Sequence, residues 1–356
     1  MSPALDAIFS PLANASSPGL AVLVRKDGRT VFEHGYGARE LRSFAKIDSQ
    51  TNFRLASCSK QFTAMSTMML VHDGKLRYDD KLTDVFSDFP AYGKAISIRN
   101  LLNHTSGLLD YEDLMAAAEK RKGAAIWTPT HQIQDAEVLD LLKQETAGKF
   151  APGRQWSYSN SGYVVLGLVV AEISGKPFAQ FLRERIFASL GMSQTLAYQK
   201  GKSEVSQRAY GHSKDAKAWK ETDQSATSAT LGDGGIYSSL EDLAKWDEAL
   251  GQRTLLSENE MRPALIPVKL ANGAQPMWPT DSDRPEGTPV AYGFGWFLDS
   301  YHEHQRMWHY GDTMGFHSYI LRFPADHLTV IILCNRTDLD PESLALRVAD
   351  LCLSSR

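Results

Sequence analysis

The sequence predicts an α+β fold, an antiparallel sheet flanked by helices with a helical lobe inserted into it. Three observations carry this. Strand-like runs sit at both ends of the chain, helical runs fill the middle, and turn formers punctuate both. The chain has 356 residues and is 43 % hydrophobic, enough to bury a large core and to build two lobes.

The elements follow in order. Residues from Ala4 to about Ala13 suit a short helix. Leu20-Ala21-Val22-Leu23-Val24 and Thr30-Val31-Phe32 flank Lys26-Asp27-Gly28-Arg29, and Asp-Gly between β-favouring runs is a hairpin signal. Ser57 to His72 reads as a helix ended by Asp73-Gly74. Ile98 to Leu102, Asp135 to Lys143, Gly162 to Ile173, Phe178 to Leu190 and Leu240 to Leu250 also read as helices. Gly293 to Leu298, Gln305 to His309, His317 to Phe323 and Leu328 to Cys334 read as strands, and Pro341 to Leu353 as a closing helix.

Strands from the two termini must then share one sheet. Residues 1–75 and 290–356 are expected to form the sheet lobe, and 76–289 a mainly helical lobe with long surface loops. The site is expected in the cleft between them. Lys200 to Asp233 and Asn272 to Thr288 are polar and rich in turn formers, and read as surface excursions.

Charge and composition exclude several classes of function. The net charge of −4 is spread along the chain with no basic block, so neither nucleic acid nor a membrane surface is expected as a partner. No stretch has the length of a membrane span or the pattern of a signal peptide, which gives a cytoplasmic expectation. Cys58, Cys334 and Cys352 are far apart and odd in number, so a disulfide framework or zinc site is not expected.

One constellation points to chemistry. Ser57-Cys58-Ser59-Lys60 opens a helical run, which puts serine and lysine one turn apart on one face. A neutral lysine there can take the serine proton, provided its pKa falls by roughly three units from the free value. A helix N-cap serine is the commonplace alternative. A second SxxK, Ser43 to Lys46, precedes no apolar helical run and reads as chance. Tyr158-Ser159-Asn160 changes the balance. Two residues apart on an extended segment, Tyr158 and Asn160 face the same way and can meet the serine–lysine pair. The third element, His309-Tyr310-Gly311-Asp312, lies on an expected strand whose edge can line a substrate. Gly311 there permits close approach.

With these three elements in hand, the chain resembles the class C β-lactamase-like serine hydrolases, a group that includes penicillin-recognising D-peptidases and esterases. Supporting stretches are Leu101 to Leu108, Gly232 to Ser239 and Tyr292 to Trp296. The resemblance implies a β-lactamase/transpeptidase-like fold and an acyl-enzyme on Ser57. It implies that Lys60 and Tyr158 share proton transfer and that Asn160 binds substrate and orients Lys60. The backbone N–H groups of Ser57 and Asp312 would form the oxyanion hole. No metal or organic cofactor is implied. The substrate would be a small-molecule ester, amide or β-lactam. Many members carry Lys-Thr-Gly where this chain has His309-Tyr310-Gly311, and a neutral imidazole is a poorer carboxylate anchor than an ammonium. An esterase-like activity is therefore favoured over a β-lactamase or D-peptidase, with a catalytically silent binding protein as a further alternative.

Other residues have ordinary readings. His302, His304 and His317 lack the partners of a metal site. Asn103-His104-Thr105-Ser106-Gly107 reads as a helix-ending turn. Trp127, Trp156, Trp246, Trp278, Trp296 and Trp308 read as core or cleft packing. Tyr111, Trp296 and Tyr310 are expected on the cleft wall.

Overall fold

Leu20–Val24 is apolar at every position because both faces of its strand are covered. Leu20, Val22 and Val24 join one buried cluster, while Ala21 and Leu23 join another on the opposite face. The computed structural model describes residues 2–216, 218–279, 284–285 and 287–353. Its strands are β1 (Leu20–Lys26), β2 (Arg29–Tyr36), β3 (Phe53–Arg54), β4 (Leu196–Ala197), β5 (His212–Asp215), β6 (Ala218–Glu221), β7 (Ile236–Ser238), β8 (Phe297–Tyr301), β9 (His304–Thr313), β10 (Phe316–Phe323) and β11 (Leu328–Cys334). Six of them form one sheet in the order β2-β1-β11-β10-β9-β8. Every pairing in it is antiparallel, so the α+β reading holds, with first and last strands side by side as Leu20 pairs with Cys334.

The outer face carries the terminal helices Ser2–Phe9 and Pro341–Cys352, which supply Leu5, Phe9, Leu344 and Val348 to the cluster around Tyr319 and Ile332. The inner face packs on the helix Lys60–His72, which is buried over nearly its whole length, and on Asn160–Ser174 behind it. Leu240–Gln252 lies within the stretch expected to form the helical lobe, yet it ties to the sheet. Its Asp247 pairs with Arg25 of β1 and Arg322 of β10.

Several elements differ from the sequence reading. The opening helix stops at Phe9 and a 3₁₀ turn, Ser10–Leu12, follows. The helix expected from Phe178 to Leu190 ends at Leu182 and continues as a π turn, Arg183–Phe187. The strand expected from Gly293 begins only at Phe297, because Gly295 takes a left-handed φ of 77° and bends the chain. A Cβ on Gly295 would lie 2.8 Å from the Cα of Gln61, so this bend packs on the start of the Lys60 helix. The polar excursion from Lys200 contains the hairpin β5–β6. Within the second excursion, residues 280–283 and 286 lie outside the described residues. A helix absent from the sequence reading, Tyr111–Lys122, starts at an Asp110 cap and ends at Gly123 in the left-handed region.

Among the described residues no single helix is long and apolar enough to cross a membrane.

Candidate active site

Ser57 sits in a 3₁₀ turn, Ala56–Ser59, that runs directly into the helix Lys60–His72, rather than in the first turn of that helix. Ala56 holds a left-handed φ of 48°, an unfavourable geometry for a residue with a Cβ. The turn is pinned from outside. Leu55 N donates to Ile236 O (2.9 Å), and Ile236 N donates to Ser59 Oγ (3.2 Å). Ser57 is partly exposed while its neighbours in the turn are buried.

Lys60 is fully buried. Its Nζ lies 3.0 Å from Ser57 Oγ, 2.8 Å from Asn160 Oδ1 and 2.9 Å from the carbonyl oxygen of Asp233. Burial lowers its pKa to about 8, against the opposing pull of Asp233, Cys58 and Asp110. The rings of Tyr158 and Tyr163 approach the nitrogen, with centroids at 4.9 and 5.5 Å.

Tyr158 and Asn160 do not share an extended segment as the sequence suggests. They straddle the cap of the helix Asn160–Ser174, whose N-cap is Ser159, with Ser159 Oγ accepting from Gly162 N (3.0 Å). Both still converge on Lys60. The Tyr158 hydroxyl makes no well-formed hydrogen bond among the described residues. Burial raises its pKa well above 10, the charge of Tyr310 adds to this, and the nearby Ser57 hydroxyl opposes it.

His309 is fully buried and does not line the cleft, which corrects the expectation. On a strand whose residues alternate between faces, it points inward. Nδ1 lies 2.6 Å from Tyr310 O, and Nε2 lies 3.1 Å from the Tyr292 hydroxyl. A carbonyl can only accept, so Nδ1 carries the proton and Nε2 accepts from Tyr292. Burial and the charge of Lys60 lower the His309 pKa to about 3, so the ring is neutral.

Gly311 is where the sheet touches the nucleophile turn. A Cβ there would fall 2.1 Å from Leu55 O. Asp312 comes next, with an exposed side chain whose Oδ1 is 3.1 Å from His317 Nε2. Its backbone matters more. β9 and β10 turn through Met314-Gly315, with Thr313 paired to Phe316. Counting back along the antiparallel ladder, Gly311 turns its N–H toward β10 and Asp312 turns its N–H away. β8 pairs with β9 only as far as Trp308, so no neighbouring strand of the sheet takes up that N–H. It faces the open edge beside the Ser57 turn, as an oxyanion donor must.

Two spaces meet at Asp312, and of these the smaller is lined by Ser57. A cleft of about 720 Å³ runs past Tyr158 and Tyr310, walled by Trp156 and Trp278 with Lys149 and Arg284 beside them. A smaller polar cavity opens against Ser57 and Asn160 and takes in Tyr111, which places two of the three expected wall residues. Trp296 is the correction. It is 3 % exposed and belongs to the core cluster, carried inward by the bend at Gly295.

The sequence reading missed His104, taken only as part of a turn. It does occupy a left-handed turn (φ 62°), but its carbonyl accepts from Ser157 N (3.0 Å) and its Nδ1 from Ser159 N (3.1 Å). Its ring lies 4.4 Å from that of Tyr158. Thus His104 holds the segment that carries Tyr158 and Asn160. Burial keeps its pKa well below 6.5, so Nδ1 remains an acceptor. Cys58, although next to Ser57, is fully buried, with its Sγ 3.3 Å from His309 O and its pKa pushed up by burial. His302 and His304 pair with Asp350 and Asp326. No group of three His, Cys, Asp or Glu among the described residues could hold a metal ion.

The family whose sequence description is Beta-lactamase matches residues 5–353. A penicillin-binding protein of Bacillus subtilis (strain 168) is 31 % identical over 360 residues, covering 97 % of this chain and 74 % of that protein. A D-aminopeptidase of Gluconobacter oxydans (strain 621H) is 25 % identical over 93 % of this chain, which spans only 58 % of that relative. Among solved structures, a penicillin-binding protein from Bacillus halodurans superposes with a TM-score of 0.79 at 24 % identity, covering 99 % of this chain and 100 % of the other. A D-amino acid amidase from Ochrobactrum anthropi SV3, bound to D-phenylalanine, gives a TM-score of 0.76 at 23 % identity, covering 97 % and 96 %.

Proposed function

The chain belongs to the beta-lactamase family of serine hydrolases, and from that premise we propose that it forms an acyl-enzyme on Ser57 while cleaving a small carboxylic ester or amide. The observation that carries this reading is the set of contacts around Lys60 Nζ. Asn160 Oδ1 and Asp233 O can only accept, and a neutral amine has two protons for them. Its lone pair is then left for the Ser57 hydroxyl at 3.0 Å.

In the acylation step Ser57 Oγ attacks the carbonyl carbon and passes its proton to Lys60. The oxyanion is met by the N–H groups of Ser57 and Asp312. Tyr158, held as a phenol by burial, donates to the departing group and is reprotonated through Lys60. Water then attacks the acyl carbon along the same proton route, and Ser57 is regenerated.

Among leaving groups we favour esters. The third motif brings no cation into the cleft, since His309 is buried and neutral. That removes an anchor for a β-lactam carboxylate. Amides form the second reading, because relatives are named D-aminopeptidase and D-amino acid amidase. The test is intact-mass labelling with a fluorophosphonate, alongside turnover of p-nitrophenyl butyrate, nitrocefin and a D-alanyl anilide. We expect one adduct, lost in Ser57→Ala, and a higher kcat/KM for the ester than for nitrocefin. An adduct on another residue, or full activity in Ser57→Ala, overturns the assignment.

A further inference from the structure

A neutral Lys60 can aim its lone pair at Ser57 only if its N–H bonds are held elsewhere. Asn160 Oδ1 holds one from the start of a helix. Asp233 O holds the other, and it belongs to an irregular loop. From Thr227 to Gly235 that loop has neither helix nor strand, and Gly232, Gly234 and Gly235 give its backbone wide conformational freedom. The place of Asp233 O must therefore be fixed by contacts from other elements.

Most of those contacts take carbonyls of the loop. Thr63 Oγ1 donates to Gly232 O (2.6 Å), and Arg54 donates to Ser228 O (3.0 Å) and Gly234 O (3.3 Å). The helix Asp135–Lys143 supplies an acceptor instead. Asp135, its first residue, takes the Leu231 N–H at Oδ1 (3.0 Å), two residues before Asp233. Leu231 O accepts from Gly235 N (3.1 Å), which closes a turn with Asp233 at its middle. That turn sits directly on the helix Asn160–Ser174, since a Cβ on Gly232 would lie 2.2 Å from Tyr163 O. Asp135 lines neither of the spaces that meet at Asp312, so it reaches the reaction only through this loop.

Resting on the reading of Lys60 as the base, we propose that Asp135 is a positioning residue for it. Through the Leu231 N–H, Asp135 holds the turn that sets Asp233 O against Lys60, and so directs the lysine lone pair at Ser57. The place of the Asp135 oxygen matters here, and its charge does not. Burial raises the Asp135 pKa to about 7, against the opposing Leu231 N–H and with the charge of Asp233 adding. A carboxyl oxygen accepts the Leu231 N–H whether the group is ionised or not, so Asp135 adds no limb of its own to the pH profile.

The experiment compares Asp135→Asn, Asp135→Glu and Gln132→Ala with wild type. It reads the rate of fluorophosphonate labelling at Ser57 and the kcat and KM for p-nitrophenyl butyrate, with circular dichroism to check each fold. Asparagine keeps an oxygen at the place of Oδ1 and removes the charge. Glutamate keeps the charge and carries the oxygen further out by one carbon–carbon bond, about 1.5 Å. Asp135→Asn should label and turn over close to wild type. Asp135→Glu should lose about tenfold or more in labelling rate and in kcat, with KM little changed. A purely structural role through a negative charge at the helix start gives the reverse order. Gln132→Ala cuts the bond from Gln132 Nε2 to Gln224 Oε1 (3.1 Å), a tie from the same segment to the stretch just before this loop, and should leave both rates unchanged. The reverse order, equal rates in the two Asp135 variants, or a loss in Gln132→Ala as large as in Asp135→Glu overturns the proposal. Should Asp135→Glu not fold, Asp135→Ser, whose shorter side chain withdraws the acceptor, carries the same expectation. Absence of Ser57 labelling in wild type would instead overturn the acyl-enzyme reading itself.

Discussion

Lys60 Nζ and Ser57 Oγ are 3.0 Å apart, and the lysine's other two contacts, Asn160 Oδ1 and Asp233 O, are both obligate acceptors. The amine can therefore be a base only when neutral, and the pH at which it becomes so should govern the rate. Its pKa stands at about 8, against 10.5 for the free side chain, a difference of roughly 3 kcal/mol against the charged form. The shift is downward, so the active form accumulates as pH rises. For a neutral ester, kcat/KM should climb through about pH 8 and level off above it. Tyr158 is coupled to this titration, so the limb belongs to the pair. A limb centred near 6 would point to a histidine. Neither histidine near Lys60 fits that, since burial holds His309 at about 3 and His104 well below 6.5.

Lys60→Ala and His309→Ala should fail in different ways. Removing Lys60 takes away the base, and a positioned base contributes about 10²–10⁴-fold. Removing His309 leaves the Tyr292 hydroxyl and the Tyr310 carbonyl without the partners they have now. That costs about 1–3 kcal/mol of stability for a buried group left unpaired. The expected result is a folded, nearly inactive Lys60→Ala and a destabilised but active His309→Ala, read from kcat and Tm. Should His309→Ala prove stable and dead while Lys60→Ala keeps its kcat, the base has been assigned to the wrong residue.

Gly311 makes a sharper geometric test. The Cβ of Gly311→Ala would sit 2.1 Å from Leu55 O, one residue before the turn that holds Ser57. Backbone must move to relieve that contact, either in the strand that offers the Asp312 N–H or in the nucleophile turn. A misplacement of about 1 Å at a reacting centre can cost about 10²-fold. We expect at least that loss in kcat/KM, with the far-ultraviolet circular dichroism of wild type. A variant of unchanged activity would show that the strand and the turn need not touch.

Much of this was legible in the sequence for identifiable reasons. The shared sheet was, because Leu20–Val24 and Leu328–Cys334 are apolar on both faces and leave little alternative to burial in a common core. Ser57 and Lys60 were, because their spacing alone fixes their proximity. The helix Tyr111–Lys122 was not. It is alanine-rich and charged, with only Tyr111, Leu114 and Met115 buried, so no apolar stripe announces it. Trp296 was misplaced because a single left-handed glycine before it broke an apparent strand. His104 and Asp233 were missed for another reason. Two of their contacts to the site go through carbonyl oxygens, and a carbonyl has no signature in sequence.

Tyr158→Phe should separate leaving groups by their need for a proton. The ring is half-buried and its hydroxyl is buried near Lys60 and Ser57, and its pKa is raised well above 10, so it enters the reaction protonated. An amide nitrogen must gain a proton before it departs, whereas p-nitrophenolate leaves readily as the anion. The ring also packs on His104 at 4.4 Å, and phenylalanine preserves that contact, so the fold should survive. The hydroxyl has no well-formed hydrogen bond to lose among the described residues, which further limits any change in stability. We therefore expect kcat for an anilide to drop by about 10²–10⁴-fold, the span of a lost general acid, with a clearly smaller drop for the matching p-nitrophenyl ester. Single-turnover measurements on both substrates make the comparison at the acylation step, before deacylation can mask it. Equal losses on the two would mean that Tyr158 acts before the leaving group departs, by helping Lys60 take the Ser57 proton, and the donor role would then belong to Lys60.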